Sequence, residues 1–216
     1  IYIKEGTWKC NAVYCLGDNA NEIILDEGGD TGASSLEFNY DGTVSNPITI
    51  NAATGDNSSI KASGNLTFEG AITAHDNLHF FVNGDHSATV SSNVSIDGTK
   101  MLTVYGDTGY QTNTAIFNGN IYGTSGARLT VDDAHVTLAG SNTYTGVTEL
   151  NSTGGGALVT VKDNNSLGNS SAGTIVNSGT TLNFDNVGSV FYDEPITVSG
   201  TGVGGSYPGA LVKDND

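Results

Sequence analysis

The chain has 216 residues, with 7 Lys or Arg against 23 Asp or Glu and a formal charge of −16; a surface of that sign repels phosphate backbones and anionic membranes, which sets aside nucleic acid and peripheral membrane partners. With 30 Gly, 3 Pro, 14% charged residues and no run of strong helix formers, it reads as a β-rich protein with many tight turns, neither helical nor disordered. No apolar run approaches the roughly 18 residues of a membrane span, so this segment is not expected to insert into a membrane, and a start at Ile1 without Met or a signal-peptide pattern reads as a piece cut from a longer chain.

From the N-terminus, the first feature is GTWKCNAVYCLGDN, which holds Cys10 and Cys15, the chain's two cysteines, with four residues between them. Two cysteines cannot by themselves complete a structural zinc site. The short spacing suits a small disulfide-closed loop in an oxidising compartment, with two free thiols as the alternative. Because WKCNAVYC interrupts the pattern that follows, it is expected to cover the open edge of the first coil.

Beyond it, a turn residue, a β-branched residue and a Thr-like position recur. Ile23, Ile48, Ile72, Val94, Ile121, Val147, Ile175 and Ile196 head successive copies, 21 to 28 residues apart. Between copies lie strand-like pieces such as LTF (66–68), LHFFV (78–82), LTV (102–104 and 129–131) and VTL (136–138), bounded by Gly, Asn or Asp. Two or three short strands per period, stacked on their own copies, predict an all-β chain folded as a parallel β-helix, in which no coil buries its apolar side alone. At about 4.8 Å per coil the rod would be roughly 40 Å long. Alternation places Ile48, Ile50, Leu66, Phe68, Leu102, Val104, Leu129, Val131, Val136 and Leu138 inside, together with Val147, Leu182 and Ile196. Thr49, Thr67, Thr103, Thr130 and Thr137 then point outward, where Thr is a good strand residue without any ligand.

Several stretches carry candidate chemistry. His75 and His79 have the spacing of a helical metal pair, but on an extended segment they would lie roughly 13 Å apart. Asp132, Asp133 and His135 resemble the paired carboxylates of polysaccharide-cleaving β-helices, yet adjacent strand residues face opposite sides and an acidic turn explains them better. Asp, Asn and Gly crowd the turns, but GGDTGASSL (28–36) does not follow the nonapeptide calcium repeat, and no EF-hand loop is present. The outward column Thr49, Thr73, Ser95, Tyr122, Thr148, Val176 and Thr197 is too irregular to match an ice or crystal lattice. Sequons at Asn57, Asn65, Asn93, Asn151, Asn164 and Asn169 are expected from a composition this rich in Asn, Ser and Thr. No catalytic, cofactor-binding or metal-ligating residue is assigned.

The most specific stretch is 117–184, centred on LAGSNTYTGVTEL (138–150). Phe117, Gly119, Ile121 and Gly123 open it; Asn142, Thr143, Tyr144, Thr145 and Gly146 form its core, and Leu167-Gly168 punctuates it before the last strands. This order resembles the passenger-associated β-strand repeat of bacterial autotransporters over about a third of the chain. Val147 stands where that family usually has a second Gly, and 132–135 replaces a Gly-rich link. The resemblance implies a right-handed β-helix, the usual hand of parallel crossovers, and makes residues 1–216 one β-helix segment of a longer passenger. It implies a non-enzymatic adhesin at the bacterial cell surface, anchored in the outer membrane by a C-terminal translocator, or secreted. It also fits few, closely spaced cysteines. The partner would be a host-surface glycan, a matrix protein or a second copy; a polysaccharide-degrading enzyme and an inert spacer are the alternatives. On this reading the native chain continues past Asp216 with further coils.

Overall fold

The computed structural model describes residues 1–26, 32–51, 58–107, 113–185, 194–204 and 209–214; Asn57, part of the 28–36 stretch and Asp216 lie outside them. Among the described residues every regular element is a strand. The first coil has β1 (Tyr2–Ile3) and β2 (Gly6–Cys10). Coils with three strands follow: β3 (Ile23–Leu25), β4 (Ser34–Phe38) and β5 (Gly42–Val44); β6 (Ile48–Ile50), β7 (Ser58–Ala62) and β8 (Leu66–Phe68); β9 (Ile72–Ala74), β10 (Leu78–Val82) and β11 (Ser87–Val90); β12 (Val94–Ile96), β13 (Met101–Gly106) and β14 (Thr114–Phe117); β15 (Ile121–Gly123), β16 (Arg128–Asp132) and β17 (His135–Leu138). After these the coils carry two strands: β18 (Thr148–Asn151) and β19 (Ala157–Val161), β20 (Thr174–Val176) and β21 (Thr180–Asp185), β22 (Ile196–Val198) and β23 (Leu211–Asp214).

Each strand pairs in parallel with the equivalent strand one coil away, which sorts them into a six-stranded sheet (β1 to β15), a nine-stranded sheet (β2 to β22) and an eight-stranded sheet (β5 to β23). The chain is thus the expected parallel β-solenoid. Strand spacing makes the nine-stranded sheet roughly 40 Å long.

The register explains the core. In the six-stranded sheet Ile23, Ile48, Ile72, Val94 and Ile121 are direct neighbours. In the nine-stranded sheet Leu36, Ile60, Phe80, Val104, Val131 and Leu150 form the inward column. In the eight-stranded sheet Val44, Phe68, Val90, Phe117, Leu138 and Val161 do the same. Aromatic rings bridge the sheets inside: Phe68 meets Phe38 and Phe80 edge-on, each at 5.5 Å, and Phe80 lies 5.8 Å from Phe117. All ten residues assigned inward from the I-T-I, L-T-F, L-T-V and VTL patterns are buried, as is Leu182.

Three expectations fail, with one main cause. The six-stranded sheet stops at β15, so the copies headed by Val147, Ile175 and Ile196 do not stack on the first five. They continue the nine-stranded sheet, with Thr148 opposite Leu129 and Thr174 opposite both Thr148 and Ile196. The inward residues are therefore Thr148, Leu150, Thr174 and Val176, with Ile196 in the same inward column opposite Thr174 and partly buried against the core; Val147 and Ile175 are off that register and only partly buried. Thr148 and Val176 thus leave the supposed outward column. Thr103 and Thr130 do face outward as expected, though they are only 2% and 9% exposed.

At the N-terminus Cys10 ends β2 and is bonded to Cys15. The closed loop and the residues after it, up to β3, occupy the place where the first coil has no strand in the eight-stranded sheet.

Phe68→Ala removes a ring that touches both other aromatic neighbours at the core and should cost about 3–5 kcal/mol. Thr67→Ala, on the outer face of the same strand, should stay within about 0.5 kcal/mol. Paired urea titrations of the two variants check the register directly.

Candidate functional site

Among the described residues the nine-stranded sheet has the most strands, and its outer face carries two regular columns of side chains. One column runs Ser35, Ser59, His79, Thr103, Thr130 and Glu149; beside it run Glu37, Lys61, Phe81, Tyr105, Asp132 and Asn151. Strand pairing holds these side chains one coil apart, so like groups stack. Ser35 and Ser59 share a hydrogen bond of 2.7 Å. Phe81 and Tyr105 stack at 4.8 Å and 13°, His79 lies 5.1 Å from the Tyr105 ring, and the Lys61 ammonium sits 5.6 Å from the Phe81 centroid. Burial lowers the His79 pKa, keeping the ring neutral at pH 7, and raises that of Tyr105, with the nearby Asp132 adding to it. Phe81 stacks on Tyr105 and has the Lys61 ammonium over its ring, so it is engaged by both neighbours in its column. The sequence pattern shows these residues only after the coils are aligned, since Phe81 and Tyr105 belong to different copies.

The other candidates separate. His75 sits at the corner after β9 with Nδ1 2.5 Å from Asp97 Oδ2, whereas His79 is on β10 among aromatic rings. Among the described residues no three His, Cys, Asp or Glu side chains gather as a metal site requires. Asp132 belongs to the nine-stranded sheet and His135 to the eight-stranded one. Asp133 turns the corner between them in the left-handed region, φ 50°. Its carboxylate accepts hydrogen bonds from Ser152 Oγ (2.9 Å), Thr153 Oγ1, and the backbone N–H groups of Thr153, Gly155 and Gly156 at 2.9 to 3.0 Å. Burial alone would raise the Asp133 pKa, but the bonds from Thr153, Ser152 and Gly155 outweigh it and hold it below the ordinary value. Asp132 goes the other way, raised by burial and by Asp133. The pair is unequal, yet Asp133 is wholly engaged in folding the 152–156 loop. It does not offer a free carboxylate to a glycosidic oxygen.

The motif residues converge on one junction, where the six-stranded sheet ends. Asn142 accepts from Ile121 N–H through Oδ1 (2.7 Å), and its Nδ2 donates to the Ser166 carbonyl (2.5 Å); its side chain links the coils before and after. Thr143 N–H reaches the Ile121 carbonyl at 2.9 Å and Gly146 N–H the Ala127 carbonyl at 2.7 Å. Thr145 Oγ1 accepts from Gly126 N–H at 2.9 Å. The Tyr144 ring is fully buried, its hydroxyl 2.6 Å from Thr148 Oγ1, which in turn donates to the Leu167 carbonyl at 3.0 Å. Gly168 lies at φ 88° with the Tyr144 ring against it; a Cβ there would come within 2.7 Å of Tyr144 Cε2. Leu167 is buried beside it. These residues do for the last coils what backbone pairing did in the six-stranded sheet.

Asn142→Ala strands two buried backbone groups, each worth roughly 1–3 kcal/mol, so unfolding by denaturant should show a loss of at least about 2 kcal/mol. Asp133 supplies a pH signature. Because its pKa is depressed in the folded chain, the stability it contributes is present above its ordinary value of 3.8 and is lost as the pH falls through the folded value. Asp133→Asn should flatten the fall in melting temperature measured below about pH 4.

Compared with known proteins, the chain matches no family model, no curated protein and no solved structure.

Proposed function

We propose that the chain is a segment of an autotransporter-type passenger, displayed outside a bacterial cell and acting in adhesion or cell–cell aggregation. The observation that carries this reading is the coincidence of motif and junction. A chance match to the repeat would scatter its residues, whereas Asn142, Tyr144 and Gly168 each occupy a position that needs that residue type: a two-ended amide, a buried ring with a hydroxyl, and a left-handed backbone without Cβ. The Cys10–Cys15 disulfide supports an oxidising location. The mechanism is display. A stack of paired coils is stiff along its axis, and its outer faces and loops meet a glycan, a matrix protein or a second copy away from the cell.

The test is to fuse the chain to an outer-membrane translocator on a non-adherent bacterial host and compare it with the translocator alone. Adhesion to host cells or matrix, or autoaggregation, is expected at equal display levels. Full display with neither behaviour would overturn the reading in favour of a spacer. Release of reducing or unsaturated sugars from a polysaccharide panel would overturn it in favour of an enzyme.

A further inference from the structure

The disulfide loop bounds a pocket of about 270 Å³. One wall is Val13, Tyr14 and Leu16 of the loop, with Asn19 beyond it; the other is Tyr40, Thr43 and Asn46, on and around β5, the end strand of the eight-stranded sheet. Asn46 fixes the two walls together, its Nδ2 donating to the carbonyls of Asp18 (2.8 Å) and Asn21 (2.9 Å). Leu16 is 4% exposed and anchors the loop in the core, while Tyr14, two residues before it, is 80% exposed.

Two features make Tyr14 unusual. It holds φ 72°, a conformation that a bulky side chain rarely adopts and that persists only where the surroundings impose it. The imposing element is the bond from Cys10 to Cys15, the next residue, together with Gly17 N–H donating to the Tyr14 carbonyl at 3.0 Å. A tyrosine that buries little of itself gains nothing for the fold from this arrangement. What the clamp achieves is a fixed backbone from which a large exposed aromatic side chain projects, which lowers the ordering cost of binding.

The lining indicates the ligand. In a chain of charge −16, no residue that lines the pocket carries a charge of either sign; the walls are tyrosines, amides, hydroxyls and small apolar groups. A cation, a phosphate or a charged peptide finds no counter-charge there. A pyranose ring does find its complement: its C–H face is electropositive and suits the negative face of an aromatic ring, and its hydroxyls match amides and alcohols that both donate and accept. The volume lies just below the roughly 300 Å³ at which small-molecule clefts begin, which is room for one ring with its neighbours outside. We infer that the pocket between the disulfide loop and β5 binds a single neutral pyranose of a glycan, stacked on Tyr14. This deepens the adhesion reading and takes its glycan alternative, but the site stands or falls on its own measurement.

That measurement is saturation-transfer NMR on the purified chain with methyl glycosides of glucose, galactose, mannose and N-acetylglucosamine, and with glucuronate as the charged control. Transfer to the ring C–H protons of at least one neutral sugar is expected. Tyr14→Ala should weaken it about five- to tenfold, with Tyr14→Phe close to the parent and an unchanged circular dichroism spectrum in both. Reduction of the disulfide should weaken it as well. No transfer from any neutral sugar, equal binding of glucuronate, or undiminished binding by Tyr14→Ala would overturn the site. Displayed cells separate the two claims. Adhesion that survives Tyr14→Ala and excess sugar, with no sugar transfer in the NMR experiment, keeps the adhesion reading and removes the pocket, pointing to a protein partner elsewhere on the rod. Sugar binding without adhesion does the reverse.

Discussion

Parallel pairing one coil away is the constraint on which the rest of the chain depends. A strand here has no hairpin partner; its N–H and C=O groups are satisfied by residues some 20 to 30 positions distant along the chain, in the coil before and the coil after. Because parallel neighbours sit directly over one another, whatever faces inward at one level must be compatible with the same position at the next. Columns of Ile, Val, Leu and Phe follow from that, and so does the freedom of the corners, where coils differ in length without disturbing the sheets. The corners have their own stacking rule. Asn93 Oδ1 accepts from Asn120 N–H, and Asn120 Oδ1 accepts from Ser141 N–H, each at 3.0 Å, so side-chain amides extend the ladder around the bend. Gly119 belongs to the same corner, since a Cβ there would strike the Ser92 carbonyl at 1.9 Å.

This constraint also decides what the sequence can reveal. Ile23, Ile48, Ile72, Val94 and Ile121 are legible as a column because turn chemistry and period agree at each of them, and the structure stacks them in that register. The reading breaks at Val147, where a β-branched residue after Gly still looks like the head of a copy. Nothing in the local pattern announces that a face has been lost. Since strand side chains alternate with period two, taking Val147 and not Thr148 as inward inverts every residue of the strand. Thr148 is indeed a polar residue in a core column, which pattern reasoning penalises. It is accepted because the Tyr144 hydroxyl and the Leu167 carbonyl satisfy it. A buried polar group with its partners supplied costs little, but those partners are visible only in three dimensions.

The same limit applies to the candidate sites. Asn142, Tyr144 and Gly168 were recognisable as a signature, yet the signature alone does not say that the residues replace a sheet. Asp132 and Asp133 were readable as an acidic corner, and the 152–156 loop that closes on Asp133 explains why its carboxyl is held below the ordinary pKa while that of its neighbour is pushed above it. The Phe81–Tyr105 stack was hidden, because the columns emerge only when strands from separate coils are set side by side.

On the proposed reading, stability and recognition are carried by different parts of such a rod. Core columns and corner ladders are repeated from coil to coil, so a change in one is felt by both neighbours, and the faces they define have little liberty to vary. The disulfide loop is under no such rule. It lies where the first coil has no strand in the eight-stranded sheet, it is tied to the stack through Leu16, Cys10 and the Asn46 amide, and Val13 and Tyr14 at its tip leave the core untouched. A bond between residues 5 apart adds little to the stability of a long chain, since chain-entropy stabilisation grows with the size of the closed loop. Its effect is local: it holds the conformation of the residues it encloses. In a fold whose repeated coils already fix the backbone, such a clamp is needed only where the chain leaves the repeat and must still keep one shape, which is the condition under which an exposed aromatic side chain can serve a partner.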